Sequence, residues 1–89
     1  MFIDALIKGG VEGGLPEDVA KKLAVGTVRG AAKMVATDKR SVEQLTEAVC
    51  SKGGTTIRAV ESFREDGLED VVKRGMTKCR KRAEELGDA

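Results

Sequence analysis

The stretch Ser51-Lys52-Gly53-Gly54-Thr55-Thr56 separates two apolar helical patterns, and the arrangement of the chain depends on it. Two adjacent glycines allow the backbone to turn sharply, and a new apolar periodicity begins at Ile57. We therefore predict a tight turn that opens a helix. Because the first amides of a helix have no intrahelical acceptor and create a favourable field for an anion, this turn suits a small carboxylate. A turn in which Thr55 or Thr56 is an ordinary N-cap explains the same residues without a ligand.

The helices on both sides of this turn have recognisable ends. Upstream, Ser41 and Gln44 form a capping-box pattern, which predicts a short third helix that leads to Cys50. Downstream, a fourth helix is predicted from the threonines onward, and Gly67 is placed to cap its C-terminus. We therefore expect a rigid element on each side of the candidate site.

The last helix has the clearest periodicity in the chain. Its apolar positions follow the 3.6-residue period at Leu68, Val71, Val72, Gly75, Met76, Cys79, Ala83 and Leu86. We predict that Met76 and Cys79 pack in a core. The basic run from Lys78 to Arg82 lies toward the end of this helix, where the macrodipole favours cations, and is interpreted as a solvated face.

The N-terminal half predicts two further helices. The apolar segment from Met1 to Ile7 has no preceding cap, as if a helix were entered midway, so we expect the chain to be part of a longer protein. Gly13-Gly14 should end this helix, and Pro16 suits the first position of the second one. Gly26 and Gly30 are predicted to let another helix approach closely, although glycines that are merely tolerated would leave the same pattern.

Composition narrows the class of protein. No segment alternates as a strand does, so the predicted fold class is all-α with about five helices. The 16 basic and 15 acidic residues and the aromatic content of 2% argue against a nucleic-acid surface, and the absence of histidine argues against a metal site.

Two distant cysteines, with no signal peptide or membrane-spanning run, predict a cytoplasmic protein with reduced thiols. A core with two Phe and no Trp or Tyr needs close helix packing or a second subunit.

Six segments occur in an order and at spacings typical of one known family. They are Phe2-Ile3-Asp4-Ala5-Leu6, Gly13-Gly14-Leu15-Pro16, Gly30-Ala31-Ala32-Lys33-Met34, Leu45 to Val49, Gly53-Gly54-Thr55-Thr56-Ile57 and Glu61 to Gly67. Together they resemble the C-terminal domain of pyrroline-5-carboxylate reductase, which makes L-proline at the last step of its biosynthesis. Lys52 stands where the family pattern has proline, which makes the turn less rigid and more positive.

The resemblance implies an all-helical domain that interlocks with a second copy, in a bundle similar to the C-terminal domain of 6-phosphogluconate dehydrogenase. Residues 1–89 would be its dimerisation and substrate-binding domain. The implied partners are a second copy, in a homodimer or a higher assembly of dimers, and pyrroline-5-carboxylate or proline, with no nucleic acid and no membrane. NADPH or NADH would be bound by an N-terminal Rossmann domain that is absent from this chain, so the chain alone is expected to be inactive.

The resemblance also implies roles for residues around the turn. The backbone N–H groups of Thr55 and Thr56 and the Ser51 hydroxyl would surround the substrate carboxylate, and Gly54 would line the same site. The Thr56 hydroxyl would face the substrate ring nitrogen, which makes Thr56 the candidate catalytic residue. Hydride addition to a C=N bond needs the imine held against the nicotinamide, so the protein contributes orientation and polar contacts. The competing hypotheses are a stand-alone helical homodimerisation module without catalysis and a small helical DNA-binding protein, which the charge balance disfavours.

Overall fold

The computed structural model describes residues 1–50 and 54–88 and consists of α-helices joined by short connections. The helices are α1 (Phe2–Glu12), α2 (Glu17–Thr37), α3 (Val42–Cys50), α4 (Gly54–Glu65) and α5 (Leu68–Asp88). These residues contain no β-strand, so the prediction of an all-α chain with about five helices is confirmed. The chain divides into two compact units, Met1–Leu45 and Thr46–Ala89.

In the first unit, a glycine turn reverses the chain after α1. Gly13 caps the helix by donating its N–H to the Gly9 carbonyl at 3.0 Å, as the sequence predicts. Gly14 has a φ of +106°, a conformation that side chains rarely adopt, and the next N–H, of Leu15, donates to the Gly10 carbonyl at 3.0 Å. The chain is thereby directed back so that α2 packs against α1.

Small residues set the distance between α1 and α2. Ala20 and Ala24 of α2 are buried, and a Cβ atom placed on Gly10 of α1 would lie 3.1 Å from the Ala20 Cβ atom. The sequence prediction placed the close approach at Gly26 and Gly30, and within the described chain this is wrong. Both glycines are exposed, and no described heavy atom outside their own helix lies within 4 Å of a Cβ placed on them.

The start of α2 differs from the prediction by one residue. Pro16 has φ −58° and ψ 148°, so it is the N-cap and Glu17 is the first helical residue. The extended ψ places Pro16 outside the helix, while its carbonyl accepts the N–H of Ala20 at 2.9 Å in the first helical hydrogen bond. Glu17 and Asp18 occupy the first turn, where their charge complements the helix dipole.

The connection between α2 and α3 contains the predicted capping box. The Ser41 N–H donates to Gln44 Oε1 at 2.9 Å, and the Gln44 N–H donates to Ser41 Oγ at 3.1 Å. Two amides at the start of α3 are therefore satisfied reciprocally, and the prediction is confirmed. The preceding Asp38 accepts from the backbone N–H of Arg40 at 2.9 Å and from its guanidinium at 2.9 and 3.1 Å.

In the second unit, α4 turns tightly into α5 and contacts it sparsely. Gly67 has a φ of +73° and donates its N–H to the Arg64 carbonyl at 3.2 Å, and Leu68 already belongs to α5. A left-handed residue just past the end of a helix is a common C-terminal cap, so the prediction for Gly67 is confirmed.

Large apolar side chains remain uncovered along the helices. Among the described residues the buried apolar side chains are Ala20, Ala24, Leu45 and Cys50, and all of them except Leu45 are small. In α5, Met76 is 69% exposed, Leu86 is 60% exposed and Cys79 is also exposed. The prediction that Met76 and Cys79 are core residues is therefore wrong for a single chain, because no described element covers the apolar side of α5.

Candidate functional site

The predicted substrate residues lie at the start of α4. Gly54 is the first residue of this helix, Thr55 and Thr56 are the second and third, and both threonines are exposed. The N-cap interpretation of the threonines is wrong, because the helix begins before them. Their amides belong to the first turn, where N–H groups have no acceptor four residues earlier within the helix. Ser51, the fourth predicted residue, lies outside the described residues.

The charge around this helix start favours an anion. Glu or Asp occupies the first turn of each of the other four helices, but the first turn of α4 contains no acidic residue. The partial positive charge at the start of α4 is therefore not offset by a carboxylate of its own first turn. Backbone N–H groups with this polarity are the usual protein contacts of phosphates and carboxylates at helix ends.

An ion pair joins α4 to the C-terminal part of α3. Arg64 Nη2 lies 2.8 Å from Glu47 Oε1, and both side chains remain more than half exposed. The partners are 17 positions apart. Sequence analysis missed this pair, because a charge match between two helices has no periodic or motif signal before their packing is known.

Two surface cavities lie in the first unit, on α1 and α2. A cavity of about 330 Å³ is lined by Asp4, Ile7, Lys8, Val11, Glu12 and Glu17. A second, of about 180 Å³, is lined by Leu6, Gly10, Leu15, Ala20, Leu23, Ala24 and Thr27. Neither lining contains a predicted site residue, so we assign no substrate role to either cavity.

The polar residues of the larger cavity are paired with one another. Lys8 Nζ lies 2.9 Å from Asp4 Oδ2. This hydrogen bond, with the attraction between the charges, lowers the pKa of Asp4 and raises the pKa of Lys8. Both groups are exposed and hold their usual charges at neutral pH, so the pair does not supply a group with the shifted acidity that proton transfer needs.

The remaining chemistry-bearing groups form no further site among the described residues. Cys50 is buried, Cys79 is exposed, and both are free thiols. No group of three or more His, Cys, Asp or Glu side chains in the described ranges could hold a metal ion. Across the same ranges, none of the helices combines the length and the apolar character needed to cross a bilayer.

Comparison with known proteins gives the family. The family model described as "Pyrroline-5-carboxylate reductase dimerisation" matches residues 1–86. The chain belongs to this family. The resemblance drawn from the sequence segments is thereby confirmed, and the all-helical fold fits a pyrroline-5-carboxylate reductase dimerisation domain.

Relatives across bacteria share this dimerisation domain. The chain is 43% identical over 86 residues to pyrroline-5-carboxylate reductase of Escherichia coli K12, a match that covers 97% of this chain and 32% of the relative. It is 40% identical over 87 residues to the Corynebacterium melassecola reductase, covering 98% of this chain and 32% of that protein. The chain therefore spans about a third of the length of the curated relatives it matches.

A solved structure has the same fold as the dimerisation domain. The crystal structure of Plasmodium falciparum pyrroline carboxylate reductase with NADP bound matches with a TM-score of 0.78 at 32% identity. The match covers 82% of this chain and 28% of that chain. The chain thus corresponds to just over a quarter of that solved reductase.

Proposed function

We propose that this chain is the dimerisation and substrate-binding domain of a pyrroline-5-carboxylate reductase. The full-length protein would reduce 1-pyrroline-5-carboxylate to L-proline with NADPH or NADH. The observation that carries the proposal is the family match over residues 1–86. It agrees with identities of 43% and 40% to two bacterial reductases. We also propose that the protein works in the cytoplasm.

The substrate carboxylate is proposed to bind at the first turn of α4. The amides of Thr55 and Thr56, with Gly54 beside them and the Ser51 hydroxyl, would surround it. Two observations support this assignment: the threonines are exposed, and the first turn of α4 has no acidic residue that would repel a carboxylate. A carboxylate held by several N–H groups is fixed in orientation as well as in place.

Thr56 is proposed as the catalytic residue. Reduction of the imine adds a hydride to carbon and a proton to nitrogen, which converts the C=N bond to a C–N single bond. The Thr56 hydroxyl, next to the carboxylate-binding amides, would hydrogen-bond the ring nitrogen and so orient the imine.

The described residues do not form a dinucleotide-binding fold. A dinucleotide fold needs a strand, a glycine-rich turn and a helix in succession, and the described residues contain helices without strands. We therefore propose that the cofactor, which supplies the hydride, is bound by another domain of the full-length protein. The Plasmodium relative has NADP bound and is more than three times longer than the part that this chain matches.

A second copy of the chain is proposed as the macromolecular partner. The matched family is named for dimerisation, and apolar side chains such as Met76 and Leu86 on α5 are exposed in the single chain. Burial of such side chains is favourable at about 25 cal/mol per Å² of apolar surface. A homodimer in which two copies interlock, or a higher assembly of such dimers, would cover them.

Binding of L-proline, the proposed product, tests the site directly. Amide NMR signals of the 89-residue chain are followed during titration with L-proline, and we expect shifts at Thr55, Thr56 and Ile57. Pyrrolidine, which has the same ring without the carboxylate, serves as the control and should leave these signals unchanged. Proline binding elsewhere on the chain, or none, would favour the alternative of a helical homodimerisation module without a substrate site.

A further inference from the structure

The Glu47–Arg64 ion pair differs from the other ion pairs of the described residues. In each of the others, the partners are at most four positions apart. Such local pairs reinforce one helix or one turn. The Glu47–Arg64 pair instead joins α3 to α4 across 17 positions, with 2.8 Å between Arg64 Nη2 and Glu47 Oε1.

Backbone packing between the described parts of α3 and α4 is sparse. Helix packing is extensive between α1 and α2 and much sparser between α4 and α5, and the described parts of α3 and α4 share less contact still. A side-chain bridge between the two helices therefore contributes to setting their angle.

The ion pair lies at the C-terminal end of α4, and the candidate site lies at its N-terminal end. Arg64 is the penultimate residue of α4, and Thr56 lies eight positions earlier, about 12 Å along the axis at 1.5 Å per residue. Because a helix of this length is stiff, restraint at one end limits the tilt at the other. A small misplacement of binding groups is enough to weaken ligand binding or catalysis.

We propose that Glu47 and Arg64 are positioning residues that orient the start of α4 for carboxylate binding. The inference rests on the proposed function of Thr55 and Thr56. Neither partner is among the residues proposed to bind the substrate. The guanidinium fork presents donors in a fixed plane, so its bond to Glu47 is directional as well as attractive.

The test compares L-proline binding by four variants of the 89-residue chain. Glu47→Gln and Arg64→Gln each remove one charge of the pair. Because Arg64 also takes part in another interaction, the Glu47 variant isolates the pair more cleanly. The exchange E47R/R64E restores opposite charges. Glu69→Gln breaks the 2.9 Å pair with Lys73 inside α5 and serves as the matched control.

We expect Glu47→Gln to weaken L-proline binding about three- to fivefold, the range accessible to an exposed pair. The exchange should recover most of the affinity, while Glu69→Gln should bind as the unmodified chain does. Melting temperatures should differ little among the variants, which separates positioning from stability. Unaltered binding by Glu47→Gln would overturn the inference while leaving the proposed function intact.

A second experiment measures the angle between α3 and α4 in the absence of a ligand. Residual dipolar couplings of the α3 and α4 amides are compared between the unmodified chain and Glu47→Gln. A changed angle supports positioning, and an unchanged angle overturns it. Failure of the unmodified chain to bind L-proline would instead overturn the proposed site, so the two failures are distinguishable.

Discussion

A Cβ atom placed on Gly10 would lie 3.1 Å from the Cβ atom of Ala20, where α1 and α2 approach one another. Ala20 is 3% exposed and its Cβ has no flexible end that could move aside. The glycine is therefore required by its neighbour rather than by its own backbone, which is helical. Adding one methyl group at Gly10 therefore tests how closely α1 packs against α2.

We predict that Gly10→Ala is less stable than Gly9→Ala by about 1 to 3 kcal/mol, the usual penalty for overpacking. Both substitutions gain helix propensity, up to about 1 kcal/mol. Gly9 has no neighbouring atom within 4 Å of a Cβ, so it should retain that gain. Urea unfolding followed by circular dichroism measures the difference. Equal stabilities would show that the two helices separate at no cost.

The capping box at the start of α3 gives a second prediction. Ser41→Ala removes the acceptor of the Gln44 N–H and should lower the free energy of unfolding by about 1 kcal/mol. Ser62→Ala, in the last turn of α4, is the control and should be neutral or slightly stabilising, because alanine has the higher helix propensity. Chemical unfolding reports both values. A Ser41 variant as stable as the Ser62 variant would contradict the cap.

The Asp38 carboxylate gives a prediction for acid titration. Hydrogen bonds from the Arg40 side chain, and then from its backbone N–H, lower the pKa of Asp38 from 3.8 to about 2. A lowered pKa in the folded chain stabilises it above pH 3.8, and this contribution is lost as the pH falls toward 2. Arg40→Gln should raise the pKa toward 3.8, as measured by carboxyl carbon NMR. If the pKa of Asp38 were the same in the variant, the Arg40 side chain would be excluded as the main cause.

Local signals in the sequence predicted helix ends well. The capping box at Ser41 and Gln44 and the cap at Gly67 are confirmed because they depend on residues a few positions apart. The start of α2 is displaced by one residue, since proline is compatible with both the N-cap and the first helical position. Local residue patterns thus predicted which segments are helical, and the predicted helix ends were accurate to about one residue.

Tertiary features were predicted less well. The 3.6-residue period identified the apolar side of α5, but periodicity does not tell what covers it, and Met76 is exposed in the single chain. Among several glycines, only packing reveals that Gly10 rather than Gly26 meets another helix. For the candidate site, the sequence indicated a helix start near Thr55 and Thr56, and α4 begins one residue before them at Gly54, whereas the roles of these residues stay predictions.

The turn between α4 and α5 gives a fourth prediction. Gly67 has a φ of +73°, so Gly67→Ala should lower the free energy of unfolding by about 1 to 2 kcal/mol, the penalty of a side chain in the left-handed region. Gly87→Ala near the end of α5 is the control, because beyond its chain neighbours and the adjacent helix backbone no described atom lies within 4 Å of a Cβ placed there, and its φ is not positive. It should be neutral or stabilising in the same urea titration. Equal losses at both positions would rule out backbone strain as the explanation.

The exposed apolar side of α5 gives the last prediction, on self-association. Val72 is 51% exposed in the single chain and lies within the apolar stripe, so Val72→Lys should place a charge in any interface formed there. We expect the dissociation constant of the dimer to rise at least tenfold, which corresponds to about 1.4 kcal/mol, as measured by sedimentation velocity. Glu84→Lys adds a lysine on the polar side of the same helix and should leave association unchanged. If both variants associate like the unmodified chain, α5 lies outside the dimer interface.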